Sequence, residues 1–94
     1  MAYRLVYHRW FEKGFAKLPR NYQLRVDKVL INLRISPRDV IAQSRQLKGY
    51  SGIYRYRLGK FRLVYAVKDD KQEIIAVGIE SRGKVYKMMR RLLG

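Results

Sequence analysis

The sequence predicts a single α+β domain with an N-terminal strand, a helical hairpin, an antiparallel C-terminal sheet and a short terminal helix. Three observations carry this prediction. Apolar residues alternate up to His8 and then switch to a helical period. Alternation returns at Ile53, and there two β-rich runs are separated only by Gly59-Lys60. A chain of 94 residues with no internal repeat or linker makes one domain, residues 1–94, around one modest core.

Each element follows from its spacing. From Ala2 to His8, Leu5 and Tyr7 alternate with Arg4 and Val6, which reads as a strand. Arg9 to Leu18 places Phe11, Phe15 and Leu18 at i, i+4 and i+7, and Pro19 interrupts the pattern. Asn21 is the expected cap of a second helix, whose stripe is Tyr22, Val26, Val29, Leu30 and Leu33. Leu24, Ile31 and Ile35 widen that stripe, predicting a helix buried on more than one side. Ser36-Pro37 ends it. Arg38 to Ser51 has no clear period and reads as a connecting loop with one helical turn around Val40 to Gln43. A polar turn at Lys68 to Gln72 leads into a third strand, from Glu73 to about Glu80. Gly78 within it marks a bulge or a close backbone approach. Ser81-Arg82-Gly83-Lys84 reads as a basic loop. Val85 to Leu93 is then a short helix that packs through Val85, Met88, Met89 and Leu92.

The central hairpin is the most informative segment. A two-residue loop at Gly59-Lys60 pairs Leu58 with Phe61, Arg57 with Arg62, Tyr56 with Leu63 and Arg55 with Val64. Period-2 geometry then puts Tyr54, Tyr56, Leu58, Phe61, Leu63, Tyr65 and Val67 on the face toward the helical hairpin. The other face carries Arg55, Arg57 and Arg62, interspersed with Ile53, Val64 and Ala66, and is expected to stay open. Like charges opposed across strands destabilise a sheet, so this arrangement points to a bound anion.

Composition supports that reading. The formal charge is +15, from 22 basic and 7 acidic residues, which attracts polyanions: nucleic acid first, an acidic protein second. There is no cysteine, so disulfides and thiolate metal sites are excluded. The single histidine, His8, reads as an ordinary strand-end residue. The N-terminal stretch has no signal-like apolar run, and the longest apolar run, Ile74 to Ile79, is far too short to span a bilayer. A soluble, cytoplasmic protein without membrane contact is expected. No glycine-rich phosphate loop occurs, and no serine has a partner histidine. Acidic residues are scattered, with Asp69-Asp70 in a solvated turn. No metal, cofactor or small-molecule ligand is therefore expected. What remains is metal-free work on an anion by Arg, Lys and Tyr.

The segment Tyr54-Arg-Tyr-Arg-Leu-Gly-Lys-Phe-Arg-Leu-Val-Tyr65, followed by Ser81-Arg-Gly-Lys-Val-Tyr86, resembles the C-terminal half of RelE-family toxins. The opening Tyr3-Arg-Leu-Val-Tyr7, the helical hairpin and Leu47-Lys-Gly49 are similar too, so the resemblance covers nearly the whole chain. The wider RelE/ParE superfamily includes ribosome-dependent mRNA endonucleases and gyrase-directed toxins. The resemblance implies a toxin that enters the ribosomal A site and cuts mRNA there without a metal, using the 2′-hydroxyl as nucleophile. It implies catalytic roles for Arg55, Arg57, Arg62, Arg82 and Tyr86, with Arg57, Arg62 and Arg82 on the phosphate and Tyr86 orienting or stacking on a nucleotide. Lys48, Lys60, Lys84, Lys87 and Arg90 are the expected flanking RNA contacts. The implied partners are mRNA, the ribosome and an acidic antitoxin.

Two departures from the family pattern bear on mechanism. Arg55 and Arg57 stand where the pattern has lysine, and a permanently protonated guanidinium is a poor general base. Proton transfer then falls to Lys84, Tyr86 or ribosomal RNA. The loop at Glu80 to Lys84 has one arginine and no histidine, where the family loop is often richer in both. Two other readings compete: a ParE-like topoisomerase-directed inhibitor that cuts nothing, and a non-catalytic RNA-binding module.

Overall fold

The computed structural model describes residues 2–93. Its order is β1 (Arg4–Tyr7), α1 (Arg9–Ala16), α2 (Arg20–Ile35), α3 (Pro37–Ala42), β2 (Arg45–Gln46), β3 (Ile53–Leu58), β4 (Phe61–Lys68), β5 (Glu73–Ser81) and α4 (Arg82–Leu93). A short 3₁₀ turn, Asp69–Lys71, joins β4 to β5. The five strands form one sheet in the order β1-β5-β4-β3-β2. β2 to β5 are antiparallel neighbours, and β1 joins the far edge parallel to β5. The expected α+β architecture is present.

Local chemistry explains the boundaries. His8 ends the first strand and caps α1, its Nδ1 accepting from the Trp10 amide at 3.0 Å. Asn21 is not the cap of α2. Pro19 occupies that position, and its carbonyl accepts from the Tyr22 and Gln23 amides at 3.0 and 3.1 Å. Asn21 is already inside the first turn. The stretch expected to be loop contains α3, which opens on Pro37 and buries Val40, and then the two-residue strand β2. No period marks β2 because it is too short to show one.

The hairpin has the predicted register throughout, with Leu58 against Phe61 and Arg57 against Arg62, and Gly59 takes the positive φ of +60° that its turn demands. Its tyrosine face meets the helical layer in the main core, where Val26, Leu33, Leu63, Tyr65, Ile74 and Ala76 are fully enclosed. Tyr65 resolves its polar tip by pairing with the Ser44 hydroxyl at 2.6 Å.

Three further expectations need correction. α2 presents only one side to the sheet, leaving Leu24, Ile31 and Ile35 at 47%, 53% and 70% exposure. It is the outer layer, so none of the described residues covers its second stripe. The arginine face is open only in part. α4 lies across it, and Val85, Met88 and Met89 pack on a fully buried Val64 beside Leu47, with Ile53, Val77 and Trp10 at the margin. Finally, Arg82-Gly83-Lys84 is the first turn of α4 rather than a loop. The Arg82 amide donates to the Lys60 carbonyl at 3.3 Å, so strand passes to helix with no spacer.

Gly78 serves both purposes its position suggests. Val64 pairs with Gly78 and Tyr65 with Ala76, leaving Val77 as the extra residue of a bulge. A Cβ at Gly78 would also lie 2.3 Å from the Met88 sulfur, so its absence lets α4 settle on β5.

Candidate anion-binding site

The open part of the arginine face forms a cleft of about 400 Å³ lined by Gln43, Arg45, Arg55, Arg57, Arg62 and Arg82. Five arginines converge there from β2, β3, β4 and α4. Pairing sets most of the geometry. Arg57 stands directly opposite Arg62 across β3 and β4, and Arg55 directly opposite Arg45 across β3 and β2. Arg82 enters from the strand-to-helix junction, where its amide is tied to the hairpin turn.

Arg62 is the most constrained of the group. Its Nη1 donates to the Gly59 carbonyl at 2.8 Å and the Phe61 carbonyl at 2.9 Å, which fixes the guanidinium over the turn. Desolvation pulls its pKa below the ordinary arginine value, and repulsion from Arg57, Arg82 and Arg55 adds to that. It remains a cation at any physiological pH. Glu80 pairs with Arg62 across β4 and β5 without forming an ion pair. Among the described residues the one ion pair joins Arg4 and Glu73, at the opposite end of β5. The cluster is thus held together by backbone geometry against its own repulsion, the arrangement expected of an anion site.

Tyr86 adjoins the cleft through Arg55. The Arg55 Nη1 donates to the Tyr86 hydroxyl, and the guanidinium carbon lies 5.5 Å from the ring centroid. Tyr86 is 41% exposed. The five residues expected to be catalytic are therefore brought together: four line the cleft and Tyr86 touches one of them.

The five expected flanking contacts lie elsewhere. Lys48 is exposed in the loop between β2 and β3. Lys60 tips the hairpin with its Nζ 5.6 Å from the Phe61 ring centroid, leaning away from the cleft. Lys84 and Lys87 line a separate groove between α4 and α1, and Arg90 sits with Lys87 and Arg91 on the outer side of α4. Sequence reasoning missed Arg45 and Gln43. Their only signal is the pairing of β2 with β3, which is long-range and leaves no local pattern.

The family model for the ParE toxin of type II toxin–antitoxin systems matches residues 5–86. The chain belongs to the RelE/ParE toxin superfamily. This RelE/ParE toxin is similar in structure to a free variant of E. coli toxin RelE with two arginines replaced by alanine, at TM-score 0.79 and 26% identity, covering 100% of both chains. It is similar to the toxin in the intact E. coli RelBE toxin–antitoxin complex, at TM-score 0.73 and 28% identity, over 85% of this chain and 96% of the other. An archaeal RelE–RelB complex from Pyrococcus horikoshii OT3 matches at TM-score 0.73 and 26% identity, over 89% and 99% of the two chains. Among curated proteins none matches this toxin in sequence. No helix among its described residues is long and apolar enough to cross a membrane.

Proposed function

We propose that this toxin is a ribosome-dependent endoribonuclease of the cytoplasm that cuts mRNA in the A site by attack of the 2′-hydroxyl, and that an acidic antitoxin restrains it. The observation that carries the reading is the convergence of Arg45, Arg55, Arg57, Arg62 and Arg82 on one cleft, with no carboxylate among the described residues that line it. A scissile phosphate seated there gains negative charge as the 2′-oxygen bonds to phosphorus. The P–O5′ bond then breaks, leaving a 2′,3′-cyclic phosphate and a 5′-hydroxyl. Guanidiniums bind such oxygens bidentately, and cations fixed in advance stabilise developing charge without reorganisation. Arg62, pinned by two carbonyls, best meets that condition.

Proton transfer is the part the arginines do not supply. Of the two protein candidates, Lys84 lines the other groove, whereas Tyr86 touches the cluster. The Tyr86 oxygen already accepts from Arg55, so its own O–H is free to donate to the leaving 5′-oxygen. The proton of the attacking 2′-hydroxyl goes to solvent or to ribosomal RNA. The net charge of +15 suits both a polyanionic target and an acidic antitoxin, and the E. coli and Pyrococcus horikoshii relatives are solved with RelB partners.

A second reading has its own support, because the family model that matches is the ParE toxin. In that reading the protein binds a topoisomerase and cuts nothing. Primer extension on translating ribosomes, run with and without a chelator, separates the two. Codon-position cuts ending in a 2′,3′-cyclic phosphate, unaffected by the chelator, support the nuclease. A 5′-phosphate product excludes 2′-hydroxyl attack. Intact mRNA together with inhibited DNA supercoiling transfers the assignment to the topoisomerase reading.

A further inference from the structure

α4 separates two cationic clefts rather than bordering one. Arg82 and Tyr86, at i and i+4, face the arginine cluster. Lys84, Lys87, Met88 and Arg91, at i, i+3, i+4 and i+7, line a second groove on the opposite flank. Its other wall is α1 with its C-cap Lys17, where Trp10, Lys13 and Lys17 fall at i, i+3 and i+7. The groove measures about 380 Å³, within the range of roughly 300–1,000 Å³ typical of small-ligand sites.

We infer that this groove holds one nucleotide of a single-stranded RNA, its base on Trp10 and its flanking phosphates on the lysines and Arg91. The chemistry divides accordingly. Trp10 is half-buried and braced, its amide on the His8 imidazole and its ring edge-on to that imidazole at 6.2 Å. Backed by the buried Met88, its exposed part offers an apolar surface such as unpaired bases stack on, worth about 1–3 kcal/mol per base. Lys13 and Lys17 on one wall, and Lys84, Lys87 and Arg91 on the other, supply a positive rim without base preference. Among the described residues Glu80 is the single carboxylate lining the groove, and its oxygens can accept from the amino edge of a base. The five cations around it favour a polyanion, and Trp10 favours one that carries bases, which makes RNA the occupant. The choice of RNA rests on the proposed nuclease reading, but the groove shares no lining residue with the arginine cleft.

The chain has a single tryptophan, so groove occupancy reports directly. The probe is a 2′-O-methylated hexanucleotide of mixed sequence, which cannot be cut by 2′-attack. It should quench Trp10 fluorescence, and quenching should persist in Arg62→Ala protein and weaken about tenfold or more in the Lys13→Glu/Lys87→Glu double variant. Inorganic polyphosphate, which has no bases, should bind without quenching. Oligonucleotide binding seen by anisotropy but silent at Trp10 overturns the proposal, as does equal quenching by hexaglutamate. A photo-crosslinker replacing Lys17, on programmed ribosomes, then identifies the source. Capture of mRNA or of ribosomal RNA supports the proposal and assigns the strand, whereas capture of protein alone overturns it. Cleavage without Trp10 quenching refutes the groove and leaves the nuclease standing; quenching without cleavage does the reverse.

Discussion

Arg62 shows how one side chain acquires a role from its backbone. Its guanidinium spends part of its donor capacity on the Gly59 and Phe61 carbonyls, and this holds the remainder over the cleft. If it meets the developing phosphorane charge, Arg62→Ala should slow mRNA cleavage by about 10²–10³-fold, or ~2.7–4 kcal/mol, in single-turnover assays on ribosomes. Arg62→Lys should rescue only part, because it keeps the charge and loses the planar fork. Arg34→Ala, on the exposed side of α2, is the control and should change little. Tyr65 gives a second test at this scale. Burial pushes its hydroxyl up to about 12, so the folded state favours the neutral phenol. Its folded pKa lies above the unfolded value near 10, so its contribution is complete below pH 10 and is lost as pH rises toward 12. Urea titrations from pH 8 to 12 should show that loss in the wild type and a smaller one in Tyr65→Phe, where Tyr3, also raised by its bond to Asp69, still contributes. The variant should also be weaker by about 1 kcal/mol at neutral pH, for the lost bond to Ser44.

At the scale of elements, alternation in β3 and β4 made the tyrosine and arginine faces readable, because period 2 and a two-residue turn leave one register. Arg45 escaped for the opposite reason: β2 has two polar residues, and only its pairing with Arg55 and Tyr54 places it. α4 was readable as a helix through Val85, Met88 and Met89, but not its start at Arg82 or its seat on Val64. The packing of α1 on β5 yields a sharp prediction. A Cβ at Gly14 would lie 2.2 Å from the Ile79 carbonyl oxygen, a backbone atom with little room to yield. Gly14→Ala should therefore destabilise the fold by about 1–3 kcal/mol despite its better helix propensity, measured as a lower urea midpoint.

For the whole molecule, charge governs encounter. Five arginines in one cleft and a net +15 imply strong RNA binding at low salt and a steep decline as salt rises. If all five engage phosphates of a single strand, log K against log salt should slope by about −3.5, taking −0.7 per contact. Fluorescence anisotropy at several salt concentrations measures this, and a flat response would remove RNA binding as the purpose of the charge.

What the sequence by itself determined is whatever depends on near neighbours: the helical hairpin, the β3–β4 register, the two faces of that hairpin and the sign of the field. Periodicity and turn chemistry act over a few residues, so they are written locally. The tertiary structure decided the rest. It placed β2 beside β3, laid α4 across half of the arginine face, left the second stripe of α2 uncovered, and opened two cationic clefts where one was expected. Those outcomes depend on which surfaces, distant along the chain, compete for the same apolar contact. No single segment carries that information.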